Sequence, residues 1–174
     1  MVRYHDEEWG TPCHDAVELF ERLALESFQV GLSWSTILRK RPGFRAAFRG
    51  FDPATVAAFG PDDVERLMGD ASIVRNRAKI DATIGNARGW LALAEAYGSA
   101  DAYLSAMVGP PRTLDPSVEV GGIPASTPGS DALSADLRTR GFRFVGSTIV
   151  YAFMQSVGLV DDHVAGCFRY RGSA

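Results

Sequence analysis

Glu26 stands three residues after Leu23 and seven after Leu19, so on a helix it shares the apolar stripe of Leu19, Phe20, Leu23 and Val30. A carboxylate on a buried face is costly without a partner. Two readings follow: a structural carboxylate satisfied by a neighbour, or a carboxyl aimed into a ligand pocket with a pKa set by its surroundings. Trp34 is correspondingly either core or a wall of that pocket. Near the other end of the chain, His163 and Cys167 are four apart, which on a helix puts imidazole and thiolate on one face. Nitrogen and sulfur donors at that spacing suit zinc. His5, between Tyr4 and Asp6, is a candidate third ligand. Such a pair is also common without any metal.

A second chemistry lies in the run SDALSADLRTRGFRFVGSTIVYAFMQSVGLVDDHVAGC at 130–167. Ser130 is the expected N-cap of a helix carrying Ala132, Leu133 and Leu137, which stops at Gly141. A short turn leads to Gly146, and a helix opening at Ser147 shows Ile149, Tyr151, Phe153, Met154 and Val157 before Gly158. Together they read as a helix-hairpin-helix over about 131–158. Glycine at both ends of the turn permits positive φ and close backbone approach. Free N–H groups at the start of the second helix form a seat for a phosphate, and Arg138, Arg140 and Arg143 supply charge. That suits a grip on a DNA backbone without reading sequence. An ordinary pair of packed helices with solvated arginines has the same pattern.

The elements that position these residues are legible in order. Asp15 caps the helix of Glu26, with Glu18 placed for a capping box, and Gly31 ends it. Ser33 starts a helix with Trp34, Ile37 and Leu38 inward, expected to stop at Pro42. Short helices follow near 52–60 and 61–68, the second with Val64, Leu67 and Met68 inward. A long helix then carries Ile80, Ile84, Ala87, Leu91 and Ala94 at steps of four, three, four and three. Arg75, Arg77 and Lys79 crowd its start, either as a second phosphate seat or as a solvated basic end. After a helix near 101–108, residues 109–129 hold five prolines and no clear period, an ordered linker beside a cleft. No segment sustains two-residue alternation, so the fold class is all-α.

With 174 residues the chain is long enough for a real core and is expected to form one domain over 1–174. Its 46% hydrophobic and 22% charged residues are ordinary for a globular protein. No apolar run reaches the length of a membrane span and no signal peptide is evident, so no membrane partner is expected. Two cysteines, Cys13 and Cys167, do not make a disulfide scaffold, and a cytoplasmic location is expected. A net charge of −3 argues against a broad polyanion binder, although a local basic patch can still dock on DNA.

These separate pieces coincide in one resemblance. The blocks YHDEEWG at 4–10, LESFQVGLSW at 25–34, FDPATVAAF at 51–59, RNRAKIDATIGNAR at 75–88, the Ile-Pro-Ala-Ser-Thr run at 123–127 and the whole of 130–167 follow one another in family order. The sequence resembles the 3-methyladenine DNA glycosylase I family, within the helix-hairpin-helix glycosylase superfamily. The resemblance implies an enzyme that flips 3-methyladenine out of alkylated double-stranded DNA and hydrolyses its N-glycosidic bond. It implies free 3-methyladenine as product, no organic cofactor, and no strand cleavage, since no lysine nucleophile stands at a matching position. A monomer is expected. By carry-over Glu26 hydrogen-bonds the extruded base and is the catalytic residue, Trp34 stacks on the base, Tyr4 is a pocket tyrosine, and Trp9 helps build the pocket floor. Gly141, Arg143, Gly146 and Ser147 would hold the DNA backbone.

The resemblance also implies a structural zinc on residues matching His5, His163 and Cys167. The family's fourth ligand is a cysteine in a short segment, also bearing a tryptophan, ahead of the Tyr-His-Asp block; this sequence shows neither there. Water as fourth ligand, substitution by Cys13, or a metal-free chain each fit that difference. Asp161, two residues before His163, matches the spacing of the wider superfamily's catalytic aspartate. It reads either as support for a sugar cation or as a helix cap beside Asp162. The rival to the enzyme is a non-catalytic protein that binds alkylated bases or DNA.

Overall fold

The computed structural model describes residues 1–113, 115 and 117–170. Nine α-helices are found among them: α1 (Val2–Glu7), α2 (Ala16–Gln29), α3 (Trp34–Ala47), α4 (Pro53–Ala57), α5 (Pro61–Gly69), α6 (Arg77–Tyr97), α7 (Ala100–Val108), α8 (Pro128–Thr139) and α9 (Ser147–Ser156). Among the described residues the one departure from an all-α fold is a two-residue parallel bridge, β1 (Arg112–Thr113) beside β2 (Val160–Asp161), which pins the proline-rich segment to the chain after α9.

α2 is the centre. Every residue from Leu19 to Phe28 is buried, and α3, α6, α7 and α9 pack around it. The apolar stripe accounts for only part of this; Glu21, Arg22 and Glu26 are buried too. Asp15 caps α2 as expected, accepting from the amides of Val17 and Glu18. The Glu18 carboxylate, however, binds Arg22 rather than closing a capping box.

α3 does not stop at Pro42 but runs through it. An interior proline costs about 3 kcal/mol. The turn beyond it places Phe44 and Phe48 against Phe28, with ring centroids 4.7 and 5.9 Å away, and two buried phenylalanines contribute roughly 1.5–3 kcal/mol each. Packing outweighs propensity. Arg41 therefore lies inside the helix and reaches Glu8 and Glu21.

In α6 the buried face swings away from the regular stripe. Leu91 is 40% exposed, while Trp90 and Leu93 are buried; the Trp90 ring packs on Phe20 of α2 at 5.9 Å. Lys79 is neither a phosphate seat nor a solvated charge. It is buried, and its ammonium donates to the carbonyls of Phe28 and Val30, capping the C-terminus of α2. Arg77 pairs with Glu65.

The cap of α8 lies three residues before the expected one. Thr127 is the N-cap, Pro128 follows at the first helical position, and the Ser130 hydroxyl accepts from the Thr127 amide. α8 and α9 pack together and against α7 and α2, so the hairpin between them borders the central helix.

Candidate active site

Tyr4 from α1, Glu26 from α2 and Trp34 from α3 come together. The Tyr4 and Trp34 ring centroids are 5.3 Å apart, tilted by 56°. Desolvation and then the charge of Glu26 push the Tyr4 hydroxyl up, so it stays a proton donor. Glu26 is 5% exposed. Among the described residues no group hydrogen-bonds its carboxyl; desolvation pushes it up to about 8, opposed only by the charge of Arg22. Arg22 cannot neutralise it fully. Its guanidinium is engaged by the Glu18 carboxylate and by the carbonyls of Glu8 and Ser156. The indole N–H of Trp34, whose ring meets Tyr4, is also buried without a partner. Buried polar groups are normally satisfied, and these two are set for a ligand that supplies both hydrogen bonds and charge.

Trp9 has different neighbours from Tyr4 and Trp34. Its indole stacks on His5 at 6.1 Å and meets His163 edge-on at 4.7 Å. It joins the pocket segment to a second cluster, in which donor atoms of His5, His163 and Cys167 all lie within 4.8 Å of one another. Cys167 Sγ is 3.4 Å from His5 Nε2. His163 is 2% exposed, and its Nε2 is buried with no partner. Donors on a tetrahedral zinc lie roughly 3.3–3.8 Å apart, so a small side-chain shift fits the three residues to that ion. They meet by a route other than helical spacing: residues 160–161 form β2 and Cys167 sits in a turn closed by its amide on the Val164 carbonyl. Cys13 is not a member of this cluster; desolvation and Glu18 push its thiol up to about 11. Asp161 lies in β2 and caps no helix; its carboxylate accepts from the His163 amide and faces the His163 Nδ1.

The turn between α8 and α9 is held by side chains from three helices. Asn86 of α6 donates to the Arg143 carbonyl and accepts from its amide, both at 2.9 Å. Ser27 of α2 donates to the Phe144 carbonyl at 3.0 Å, and Ser134 of α8 to the Val145 carbonyl at 2.7 Å. Gly141 takes the expected positive φ of 86°, but Gly146 has φ −61° and the other left-handed residue is Phe144 at 54°. No side chain caps the start of α9. The Ser147 hydroxyl is engaged by Asp131 and Ser130. Of the three arginines, Arg140 is held by Asp136 and lies over the Tyr97 and Tyr103 rings, while Arg138 and Arg143 are exposed.

Residues 1–170 match the methyladenine glycosylase family. The chain belongs to that family. It is 48% identical to DNA-3-methyladenine glycosylase 1 of Escherichia coli over 99% of this chain and 92% of that protein. It is 40% identical to DNA-3-methyladenine glycosylase of Haemophilus influenzae over 95% and 90%. The structure of 3-methyladenine DNA glycosylase I from Staphylococcus aureus, solved for its recognition of 3-methyladenine, superposes with a TM-score of 0.94 at 37% identity, covering 99% of this chain and 92% of that one. Within this methyladenine glycosylase fold, the roles of Arg22, Ser27 and Asn86 have no counterpart in the sequence reading, and Lys79, expected as a phosphate seat or a solvated charge, caps α2 instead. Only Arg22 carried a signal, an ionisable residue one turn from Glu26 on a helix too apolar to solvate it.

Proposed function

We infer that this chain is a DNA-3-methyladenine glycosylase of base-excision repair, hydrolysing the bond between the modified base and deoxyribose C1′. The observation that carries this reading is the buried, unpartnered carboxyl of Glu26 beside the Tyr4–Trp34 ring pair. Adenine methylated at N3 within DNA is a cation. It gains from a carboxylate and from aromatic faces where a neutral base gains less. With its carboxyl raised to about 8, Glu26 is protonated in the free protein near neutrality. A bound cation favours its ionised form, so recognition is selective for charge. The cationic base leaves readily: water adds to C1′, the C1′–N9 bond breaks, and free 3-methyladenine and an abasic site result. Lys40 and Lys79, the two lysines of the sequence, both donate to backbone carbonyls, which agrees with hydrolysis without strand cleavage.

The turn at 140–146 and the uncapped start of α9 are the proposed grip on the DNA backbone, with the exposed Arg143. Asp131, bound to Ser147, narrows that role to the main-chain amides and the arginine. His5, His163 and Cys167 are the proposed holders of a zinc ion, which would act as a structural tie and not in the reaction.

The test is release of free bases from methylated duplex DNA. The chain releases 3-methyladenine, and Glu26→Ala lowers the rate at least about 100-fold while duplex affinity stays within about threefold. DNA binding without base release would establish the non-catalytic rival.

A further inference from the structure

Both histidines of the donor cluster are held at the same ring atom. His163 Nδ1 lies 2.6 Å from the Asp161 carboxylate, which also accepts from the His163 backbone amide at 3.2 Å. His5 Nδ1 lies 2.8 Å from Asp6. His5 thus turns its Nε2 toward Cys167, and His163, in the same donor cluster, leaves its buried Nε2 without a partner. A carboxylate accepts only, so the nitrogen facing it carries a proton, and in the neutral ring the far nitrogen keeps its lone pair. The two carboxylates differ in setting: the Asp161 side chain is 11% exposed and that of Asp6 36%. The Asp161–His163 pair is also enclosed by Gly10. A Cβ there would stand 2.6 Å from His163 Cε1 and 3.0 Å from Nδ1, so only glycine leaves the ring its place.

We propose that Asp161 is a positioning residue for the metal centre: it fixes the Nδ1–H tautomer of His163 and presents Nε2 as a ready ligand before any ion arrives. Asp6 does the same for His5, more weakly because water competes for its carboxylate. This inference rests on the zinc reading for its consequence but not for its first observable. In metal-bound proteins, losing such an outer carboxylate typically costs 10–100-fold in affinity.

The experiment has two arms. In the metal-free chain, long-range 1H–15N correlation spectra of the imidazoles report the tautomer directly. Protonated Nδ1 and bare Nε2 on His163 are expected; the opposite tautomer overturns the proposal, whatever the protein does with zinc. In the second arm, zinc alone is titrated against a chromophoric chelator. Asp161→Ala is expected to weaken binding 10–100-fold, and Asp6→Ala by less. Asp161→Asn, which keeps an acceptor oxygen, is expected to recover most of the loss. Equal affinities for Asp161→Ala and the unaltered chain overturn the proposal, as does an asparagine variant no better than alanine. An unaltered chain that takes up no zinc overturns the metal reading instead, and with it the role of Asp161 in metal binding.

Discussion

Glu26 combines two properties that are rarely stable together, deep burial and the absence of a partner. Its folded pKa of about 8 stands above the ordinary value of 4.5, so the folded protein binds this proton more tightly than the unfolded chain. The stability tied to it is fully present below pH 4.5 and is lost as the pH rises through about 8. At about 1.4 kcal/mol per pH unit the loss reaches roughly 4–5 kcal/mol at most. Glu26→Gln, which cannot ionise, is therefore expected to gain on the unaltered chain between pH 5 and pH 9. Urea unfolding at both pH values measures it; a constant difference would mean that the carboxyl is solvated or paired. Lys79 is a simpler case. Replacing it by methionine strips the carbonyls of Phe28 and Val30 of their donor and should cost about 1–3 kcal/mol, read as a lower melting temperature.

At the scale of elements, the turn between α8 and α9 depends on side chains of α2 and α6 as well as of α8. Three consecutive carbonyls, at 143, 144 and 145, accept from Asn86, Ser27 and Ser134. Ser27 follows Glu26 on α2, so the proposed DNA grip and the base pocket are tied to the same helix. Asn86→Ala should loosen the turn and raise KM for methylated duplex about tenfold, with kcat and affinity for free 3-methyladenine little changed. Steady-state kinetics beside a base-binding titration separate these; parallel losses in all three would point to general damage instead. Ser27→Ala, which removes only one bond to the turn, should shift KM in the same direction by less.

For the whole molecule the unusual element is α1. It contributes Tyr4 to the pocket and His5 to the donor cluster, yet none of its six residues is fully buried. A helix so short does not hold itself in water. Its attachment runs through the Tyr4–Trp34 ring contact, the hold of Arg22 and Arg41 on Glu8 just beyond it, and the His5–Cys167 contact. Chelation of the zinc-loaded chain should therefore raise amide exchange over residues 2–9 and weaken 3-methyladenine binding, while α2 and α6 keep their protection. Local patterns determined much of this protein from sequence alone: α2 and its apolar stripe, the cap at Asp15, the start of α3 at Ser33, the two helices around Gly141, and the family. Each depends on periodicity, on a residue's own backbone preference, or on motif order along the chain. Tertiary contact decided the rest. Pro42 is passed because two phenylalanines find Phe28, the α6 face turns because Trp90 finds Phe20, and Lys79 is buried because the end of α2 offers it two carbonyls. Asp161 faces His163 because a two-residue strand, not a helix, carries it there. Such pairings join residues far apart in the chain or turn on a local backbone shape that spacing does not encode, so only the folded structure displays them.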